Sequence, residues 1–464
     1  MHGGPAIVKA VLAAIPQCVT FPGHEPRRRR TVRFAEPGEF TRRAFENDRL
    51  DLTHIEALGD ALAADTEQQR RLAVRGTTNA LARRYDSWRQ QLLHARGELE
   101  ALIDFAEDQH FDESPKQLVS SVTEQIMTLK KQMQIHVSNA SRGELVRSGI
   151  KVALLGAPNA GKSSLLNIIV GREAAIVSQE EGTTRDVVEV GVDIGGFYCK
   201  FGDMAGLRRG PPSGKKASST RRKGSKILIG EVEREGIRRA KARALESDVV
   251  IVVLSAEWDL TYRENPIVKI DPEVAETATR CTEDGKAVIY VVNKSDKFTP
   301  IGPSAEFGPG VSRLLSQTML DTHGSARGIL AISCADAANA DSLDHDYGGI
   351  QYFLKGLTHV LEKITAPISS DSKDVSIEPA MYEQSLGATE RQRLLLEDSL
   401  GHLDAFLQST ESPINPPPEV EVKDDTDVVL AAEHLRTAAS CLAKITGKGE
   451  AGDVEEVLGV VFEK

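Results

Sequence analysis

The sequence predicts an α/β domain inserted into an all-α helical domain. Three observations support this prediction. Between residues 148 and 364, short runs of β-branched residues alternate with segments long enough to be helices. A glycine-bounded loop, Gly156–Ser164, separates the first of these runs from the helix that follows it. Residues 49–147 and 365–464 have helical apolar spacing, so we expect these two flanking stretches to pack together.

Composition places the chain among ordinary globular proteins, since 40% of its 464 residues are hydrophobic and 27% are charged. The net charge of -11 argues against a uniformly basic nucleic-acid binder, although residues 208–226 are locally basic. The five cysteines are far apart and lack metal-ligand spacing, which suits a reducing compartment. We expect no membrane-spanning segment and no signal peptide.

The first 48 residues predict a small, partial α/β domain. Residues 5–15 have helical spacing, residues 22–30 form a loop rich in proline and arginine, and residues 31–35 have the pattern of a strand. This is too little chain to close a hydrophobic core by itself.

Apolar spacing predicts three helices in residues 49–147 and two more after residue 364. The first runs from Asp51 to Gly76, and the third covers residues 116–137 and ends at a polar stretch, residues 138–142. The last two are separated by a proline-rich loop at residues 413–418. The apolar stripes are Leu52, Ile55, Leu58 and Leu62; Trp88, Leu92, Leu99 and Leu102; Leu396, Leu400, Leu403 and Leu407; and Leu435, Leu442 and Ile445.

The loop Gly156–Ser164 has the residues that a phosphate-binding loop needs. Its glycines let successive backbone N–H groups and the start of the next helix face a phosphate. Lys162 can reach the β- and γ-phosphates, and Ser163 can ligate Mg²⁺. The alternative is a strand-to-helix turn that matches by chance. The nucleotide contacts expected here are Asn159, Ala160, Gly161, Lys162, Ser163 and Ser164.

Two motifs expected at the phosphates follow this loop in the chain. Residues 182–186 include Thr183 and Thr184, and a threonine in such a loop can complete Mg²⁺ coordination and contact the γ-phosphate. In residues 203–206, Asp203 can hold a magnesium-bound water and the N–H of Gly206 can meet the γ-phosphate.

Two further motifs are expected at the base. Asn293, Lys294 and Asp296 follow a β-branched run, and the Asp296 carboxylate can accept the N1–H and N2–H donors of guanine, which adenine does not offer. Ser333, Cys334 and Ala335 end the last run, where a backbone N–H can contact the guanine oxygen. Ligands bind at the carboxyl ends of strands in open α/β sheets, so the motifs jointly predict GTP.

Several longer segments resemble the MnmE/TrmE family of tRNA-modification GTPases. Within the α/β stretch these are the Gly-x-Pro-Asn-Ala-Gly-Lys-Ser-Ser loop and residues 171–177, 182–186 and 203–208. Residues 2–5, 37–45 and 49–52 resemble parts of the family's N-terminal folate-binding domain, and residues 442–447 and 458–462 resemble its C-terminal helices. The resemblance therefore covers nearly the whole chain.

This resemblance implies a domain order and an activity. Residues 1–48 would be part of a folate-binding and dimerisation domain, residues 49–147 and 365–464 the two halves of a helical domain, and residues 148–364 the G domain. Family members form homodimers and act with a flavin-dependent partner and a folate one-carbon donor on carbon 5 of the tRNA wobble uridine. Their G domains dimerise when potassium fills a site beside the nucleotide, and dimerisation activates hydrolysis. This potassium would supply the charge that an arginine finger supplies elsewhere.

The resemblance also implies roles for individual residues. Asn159 would be the side-chain ligand of K⁺, with Ser178, Glu180 and Thr183 lining its loop, and Ser163 and Thr184 would ligate Mg²⁺. Glu233 would orient the attacking water, although an ordinary solvated helix glutamate is the alternative. Arg49 would stand where the family places a basic folate contact.

The chain also departs from the family pattern. Met204 replaces the usual threonine, and residues 208–230 form a basic insertion that is either a solvated loop or a contact to tRNA phosphates. We expect the first part of the folate domain and the C-terminal cysteine tail to be missing. Alternatives are therefore a GTP-dependent switch in RNA binding or ribosome assembly, or a truncated GTPase without modification activity. The family implies a mitochondrial location, with the cytoplasm as the alternative.

Overall fold

The computed structural model of the chain describes residues 4–15, 33–104, 115–172, 175–176, 189–202, 238–257, 267–268, 270–297, 330–339, 346, 348–368, 379–410 and 428–447. Over these ranges the chain forms a mixed β-sheet with helices around it and a separate helical bundle. None of the described helices is both long and apolar enough to cross a bilayer.

The sheet contains eight described strands: β1 (Ile150–Leu155), β2 (Ala175–Ile176), β3 (Glu189–Ile194), β4 (Phe197–Gly202), β5 (Val249–Glu257), β6 (Ile267–Val268), β7 (Ala287–Asn293) and β8 (Leu330–Ala331). Their order is β2-β3-β4-β1-β5-β7-β8, with β6 paired to β5. The neighbours from β4 to β8 are parallel, and β2, β3 and β4 pair antiparallel. This confirms the predicted mostly parallel sheet with one antiparallel edge. The short strand β6, which pairs antiparallel with β5, was not predicted.

The helices are α1 (Pro5–Ala14), α2 (Glu39–Glu46), α3 (Leu52–Ala63), α4 (Glu67–Gly76), α5 (Ala80–Asp104), α6 (Pro115–Ser148), α7 (Lys162–Arg172), α8 (residues 238–246), α9 (Pro272–Glu283), α10 (Cys334–Asn339), α11 (Ile350–Thr365), α12 (Pro379–Ser385), α13 (Glu390–Thr410) and α14 (Val428–Thr446). The numbering covers the described ranges only.

The central strands are apolar on both faces because helices cover both sides of a parallel sheet. All seven residues of β7 are buried. The core on one face includes Ile251 of β5 and Phe353 of α11, while the core on the other face includes Val252 and Val274 of α9. This two-sided burial holds the carboxyl ends of the strands in fixed positions.

The predicted hairpin between β3 and β4 is confirmed. Gly195 and Gly196 have φ angles of +60° and +89°, and two consecutive positive φ angles are the requirement of a type I′ turn. The Asp193 carboxylate accepts a hydrogen bond from the Gly196 N–H at 2.7 Å. At this turn the sheet meets the helical part of the chain, because the Gln68 N–H in α4 donates to the Gly196 carbonyl at 3.1 Å.

The bundle core combines helices that are far apart in the sequence. Trp88 and Leu92 of α5 and Met133 of α6 pack with Leu403 of α13 and Leu435 of α14 in one buried cluster. These side chains are at most 2% exposed. Helices from both flanking stretches therefore contribute to one core, and most residues of the predicted apolar stripes lie in it.

A buried polar network also joins the two stretches. Glu56 of α3 accepts hydrogen bonds from Thr389, Arg391 and Gln392 at the start of α13. The Gln392 side-chain oxygen accepts from the Tyr85 hydroxyl at 3.1 Å, and this hydroxyl lies 2.9 Å from Nε2 of His136. Because the Tyr85 proton points to Gln392, the Nε2–H of His136 donates to Tyr85.

The helix predicted from Asp51 to Gly76 is wrong, because it is two helices. Thr66 begins α4 with a capping box in which its hydroxyl and the side chain of Gln69 satisfy each other's backbone N–H groups. Part of the predicted stripe also faces outward within α3 itself. Leu52 is fully buried, whereas Leu62 is 82% exposed.

The predicted end of the third helix near residue 137 is also wrong. Helix α6 continues to Ser148, because the polar residues find partners in or beside the helix. The side chain of Asn139 donates to Ser385 at 3.1 Å and accepts from the Ile368 N–H at 2.7 Å. The hydroxyl of Ser138 donates to the Gln134 carbonyl one turn earlier, so a polar stretch did not break the helix.

Residues 33–35, predicted as part of a strand, are not in one. The Arg33 guanidinium instead donates to Glu39 at 2.8 Å, and Gly38, with φ of +76°, begins α2 immediately afterwards. The predicted helix at residues 5–15 is confirmed as α1, which has no buried residue. The predicted loop at residues 413–418 lies outside the described residues, and so do residues 16–32.

Candidate nucleotide-binding site

The predicted phosphate loop lies between β1 and α7, at the carboxyl edge of the sheet. Asn159 and Gly161 have φ angles of +62° and +102°. A Cβ atom on Gly161 would lie 1.9 Å from Nδ2 of Asn293, and one on Gly156 would lie 2.3 Å from the carbonyl oxygen of Val253 in β5. Glycine at both positions lets the loop lie directly against β5 and β7.

Lys162 is the first residue of α7, and its side chain folds back over the loop. Its Nζ donates to the carbonyl oxygens of Gly156 and Ala157, both at 2.8 Å. Burial lowers the pKa of Lys162. A phosphate bound at this position would favour the charged form of the Lys162 ammonium. The loop carbonyls already hold this ammonium beside the place that the phosphate would take.

Asn293, the last residue of β7, connects the two ends of the candidate site. Its Nδ2 donates to the carbonyl oxygen of Ala160 at 3.0 Å, and its Oδ1 accepts from the N–H of Cys334 at 3.2 Å. The side chain is 2% exposed. Asn293 therefore joins the phosphate loop to the segment predicted to contact guanine.

Asp296 lies in the short 3-10 turn Ser295–Lys297 after β7. Its Oδ1 accepts a hydrogen bond from the hydroxyl of Ser333 at 2.8 Å. Ser333 is fully buried, whereas Asp296 is exposed. The Ser333 hydroxyl thus fixes one oxygen of the Asp296 carboxylate. The carboxylate itself faces solvent, as it must in order to accept hydrogen bonds from the two N–H donors of a guanine.

The neighbours of Ser333 and Asp296 complete this end of the site. Lys294 has φ of +67°, and Ala335 is exposed in the first turn of α10. Burial raises the pKa of the Cys334 thiol to about 11, which keeps it neutral at physiological pH. Cys334 therefore contributes its backbone N–H to Asn293 and has no thiolate to act as a nucleophile.

The structure brings two of the predicted groups to one edge of the sheet: Asn159, Ala160, Gly161, Lys162, Ser163 and Ser164, and Asn293, Lys294, Asp296, Ser333, Cys334 and Ala335. Arg49 does not join them. It is exposed and follows α2, whose Phe45 lies beside Gly447 at the end of the bundle. The other predicted contacts lie outside the described residues: Ser178, Glu180, Thr183, Thr184, Asp203, Gly206 and Glu233, together with the basic residues 208–230.

Of the residues predicted to ligate Mg²⁺ and K⁺, Ser163 and Asn159 lie within the described residues. Ser163 is exposed in the first turn of α7, and Asn159 is exposed at the turn of the phosphate loop. Hydroxyl and amide oxygens suit these hard cations. In the described ranges, no group of three or more His, Cys, Asp and Glu side chains is arranged to hold a metal.

Two residues that support the segment predicted to contact guanine were not predicted from the sequence. Arg172, at the end of α7, donates from Nη2 to the Ala337 carbonyl of α10 at 3.3 Å. Gly348 packs against Ser333 from the side of α11. The consecutive glycines before the apolar helix Ile350–Thr365 indicated a backbone conformation with positive φ angles. The sequence could not show that Ser333 is the residue that Gly348 packs against.

Two family models match the chain. The model of the MnmE helical domain matches residues 52–464, and the model of the GTP-binding protein TrmE N-terminus matches residues 1–49. Among solved structures, the G domain of the T. maritima FeoB iron transporter covers 45% of this chain and 97% of its own length, with 20% identity and a TM-score of 0.23. That TM-score is too low to bear on the fold.

Curated relatives match over the full chain. Human 5-taurinomethyluridine-[tRNA] synthase subunit GTPB3, mitochondrial, is 32% identical over 463 residues, which are 100% of this chain and 76% of that protein. The tRNA modification GTPase mss1, mitochondrial, of Schizosaccharomyces pombe is 31% identical over 464 residues, with 100% and 78% covered. The tRNA modification GTPase MnmE of Parvibaculum lavamentivorans is 44% identical over 255 residues, or 55% of this chain and 51% of that one. With these matches and the geometry of the sheet edge, the chain belongs to the MnmE/TrmE family of tRNA-modification GTPases.

Proposed function

We propose that this chain hydrolyses GTP and that hydrolysis serves the modification of carbon 5 of the tRNA wobble uridine. The observation that carries the GTP proposal is Asn293, which holds the phosphate loop and the Asp296–Ser333 pair at one sheet edge. The tRNA reaction rests on membership of the family and on relatives that are named for tRNA modification. A GTP-dependent assembly switch has no comparable support, because the helical-domain match extends over residues 52–464.

Each predicted residue has a distinct part in the proposed hydrolysis. Lys162 and the loop N–H groups bind the β- and γ-phosphates, and Asp296 selects guanine. Ser163 and Thr184 would hold Mg²⁺, and Asn159 would hold K⁺ within the loop that contains Ser178, Glu180 and Thr183. Bound there, the two cations neutralise charge that develops on the phosphates. Glu233 would orient the attacking water.

We also propose the finer domain arrangement, in which an α/β domain at residues 148–364 is inserted between helical halves at residues 49–147 and 365–464. The shared core of α5, α6, α13 and α14 supports this arrangement, because its members come from both sides of the α/β stretch. Residues 1–48 would be part of a folate-binding domain for the one-carbon donor, with Arg49 at its edge. The match of residues 1–49 to the TrmE N-terminus supports that assignment.

The proposed partners are tRNA, a flavin-dependent protein and a second copy of this chain. The basic segment 208–230 is a candidate contact for tRNA phosphates, and its deletion would then reduce the salt dependence of tRNA affinity. Two relatives that match over the full length of this chain are named as mitochondrial, which supports a mitochondrial location.

The hydrolysis proposal is tested by measuring phosphate release from GTP and from ATP in potassium and in sodium salts. We expect the chain to turn over GTP but not ATP, and we expect potassium to stimulate this turnover. A chain with Glu233→Ala should bind GTP as tightly as the unaltered chain and lose turnover. Equal rates in the two salts would contradict the potassium site, and an unchanged rate for Glu233→Ala would contradict the role of that residue.

The tRNA proposal is tested by wobble-uridine analysis in cells whose only copy of this protein is the present chain. We expect the modified nucleoside to be present, and a chain with Lys162→Ala should lack it. A chain that turns over GTP in vitro but leaves the uridine unmodified would support the alternative of a GTPase without modification activity.

A further inference from the structure

We infer that the turn before α11, formed by Asp346, Gly348 and Gly349, is a brace that positions the guanine-recognition loop, with Gly348 as the positioning residue. This inference rests on the proposed binding of GTP at Asp296 and Ser333. It assigns a function to residues outside the motifs that contact a nucleotide.

The first observation is that Ser333 is fixed from two sides. Its hydroxyl donates to Asp296 at 2.8 Å, and its backbone N–H donates to the Gly348 carbonyl at 2.9 Å. Ser333 is fully buried. Because the same residue holds the Asp296 carboxylate and is itself held by Gly348, a shift of Gly348 displaces the acceptor that selects guanine.

The second observation is that the approach at Gly348 leaves no room for a side chain. A Cβ atom on Gly348 would lie 2.2 Å from the Ser333 carbonyl oxygen and 3.1 Å from the Ala337 nitrogen. Both neighbours are backbone atoms, and they form the first hydrogen bond of α10, from the Ala337 N–H to the Ser333 carbonyl at 3.1 Å. Backbone atoms cannot rotate away as a flexible side chain can, so any substitution pushes the loop.

The third observation is that the brace is anchored independently of the loop. The Asp346 carboxylate accepts from the N–H groups of Gln351 at 2.9 Å and Tyr352 at 3.0 Å, the first turn of α11. Helix α11 is held in the sheet core by Ile350, Phe353 and Leu357, which are fully buried. The turn therefore transmits the position of a rigid helix to Ser333.

The test uses the full chain and compares Gly348→Ala with Gly285→Ala. Gly348 has φ of +85° and Gly285 has φ of +76°, so both substitutions impose similar backbone strain. A Cβ atom on Gly285, in the turn before β7, would have no atom within 4 Å. The pair thus separates contact with the guanine loop from the strain of a left-handed residue.

Affinities for GDP and for IDP are measured by calorimetry, because IDP lacks the 2-amino group that Asp296 recognises. We expect Gly348→Ala to weaken GDP binding about tenfold to about a hundredfold and to reduce the preference for GDP over IDP. The KM for GTP should rise with little change in kcat at saturation. Gly285→Ala should keep the affinity and the preference of the unaltered chain.

The inference would be overturned if Gly348→Ala bound GDP as tightly as Gly285→Ala does and IDP as tightly as Gly285→Ala does. If Gly348→Ala does not fold, the GDP affinity of Asp346→Ala is measured instead, since this substitution removes the anchor of the brace without adding an atom. A several-fold loss of GDP affinity supports the brace, and unchanged affinity overturns it. An unaltered chain that binds GDP no better than ADP would instead contradict the proposed function itself.

Discussion

The nucleotide edge of the sheet and the helical bundle use polar groups differently. At the sheet edge, Asn293 and Ser333 are buried polar side chains whose partners belong to the candidate site. In the bundle, Glu56, Tyr85 and His136 are linked to the start of α13, and their hydrogen-bond partners belong to none of the predicted nucleotide motifs. Burial of a polar group therefore does not by itself mark a functional site. Substitutions at the edge should change binding, whereas substitutions in the network should change stability.

The largest expected effect is that of Lys162→Ala on GTP hydrolysis. Removing a preorganised cation at the phosphates should lower the rate by about a hundredfold to about a thousandfold, with a small effect on stability. The control is Lys286→Ala, because the Lys286 ammonium also donates to two carbonyls, those of Leu245 and Ser247, before β7. That variant should be less stable but keep its hydrolysis rate. Similar rate losses in both variants would contradict the assignment.

The next largest effect is expected for Glu56→Ala on the free energy of unfolding. The Glu56 side chain is 10% exposed, and its removal leaves the Arg391 guanidinium and the Gln392 amide without this acceptor. We expect a loss of about 2–3 kcal/mol in chemical denaturation. Glu383→Ala is the control, since its pair with Arg75 is exposed and should be worth less than about 1 kcal/mol. Equal losses in the two variants would show that the network is no stronger than a surface pair.

A pH effect should follow from His136. Burial, with a smaller contribution from Arg84, lowers the pKa of His136 to about 3, compared with 6.5 for an ordinary histidine. Below pH 6.5 the unfolded chain takes up a proton that the folded chain does not. Stability should therefore fall as the pH falls from 6.5 toward 3, by at most about 1.4 kcal/mol per pH unit from this group.

This contribution is measured by comparing urea denaturation of the unaltered chain and of His136→Gln between pH 7 and pH 5. The variant should lose part of the acid dependence, because glutamine does not titrate. His94→Gln is the control for the exchange of histidine for glutamine, since the His94 side chain is 73% exposed. Identical pH profiles for the unaltered chain and His136→Gln would contradict a neutral, buried His136.

The smallest effect is expected for Ser333→Ala on GDP affinity. The loss of the hydroxyl that holds Asp296 should cost about 1 kcal/mol, or about fivefold in affinity. Ser247→Ala is the control, because the Ser247 hydroxyl is also buried and donates to the Ala244 carbonyl, ahead of β5 rather than at the site. Calorimetry should find its GDP affinity unchanged. A Ser333→Ala chain with unaltered affinity would show that Asp296 needs no support from this hydroxyl.

The sequence predicted the elements of the sheet well and the helix boundaries less well. Consecutive β-branched residues have few interpretations when they are bounded by turn residues, so β5 and β7 were recognised without tertiary information. Helix ends depend on the partners that polar side chains find. Thr66 interrupted a pattern that looked continuous, and Asn139 extended α6 because Ser385 lay opposite, 246 positions along the chain.

The residues predicted to touch the nucleotide could be named from the sequence alone, because phosphate and guanine recognition need particular chemical groups at short, fixed spacings. Lys162 in its loop and Asp296 after its strand were predicted in this way. Only the tertiary structure decided which residues hold them. Asn293 joins two loops that are 133 and 41 residues away from it, and Gly348 meets Ser333 by backbone contact. Such contacts depend on how whole elements pack, and no local pattern in the chain encodes that packing.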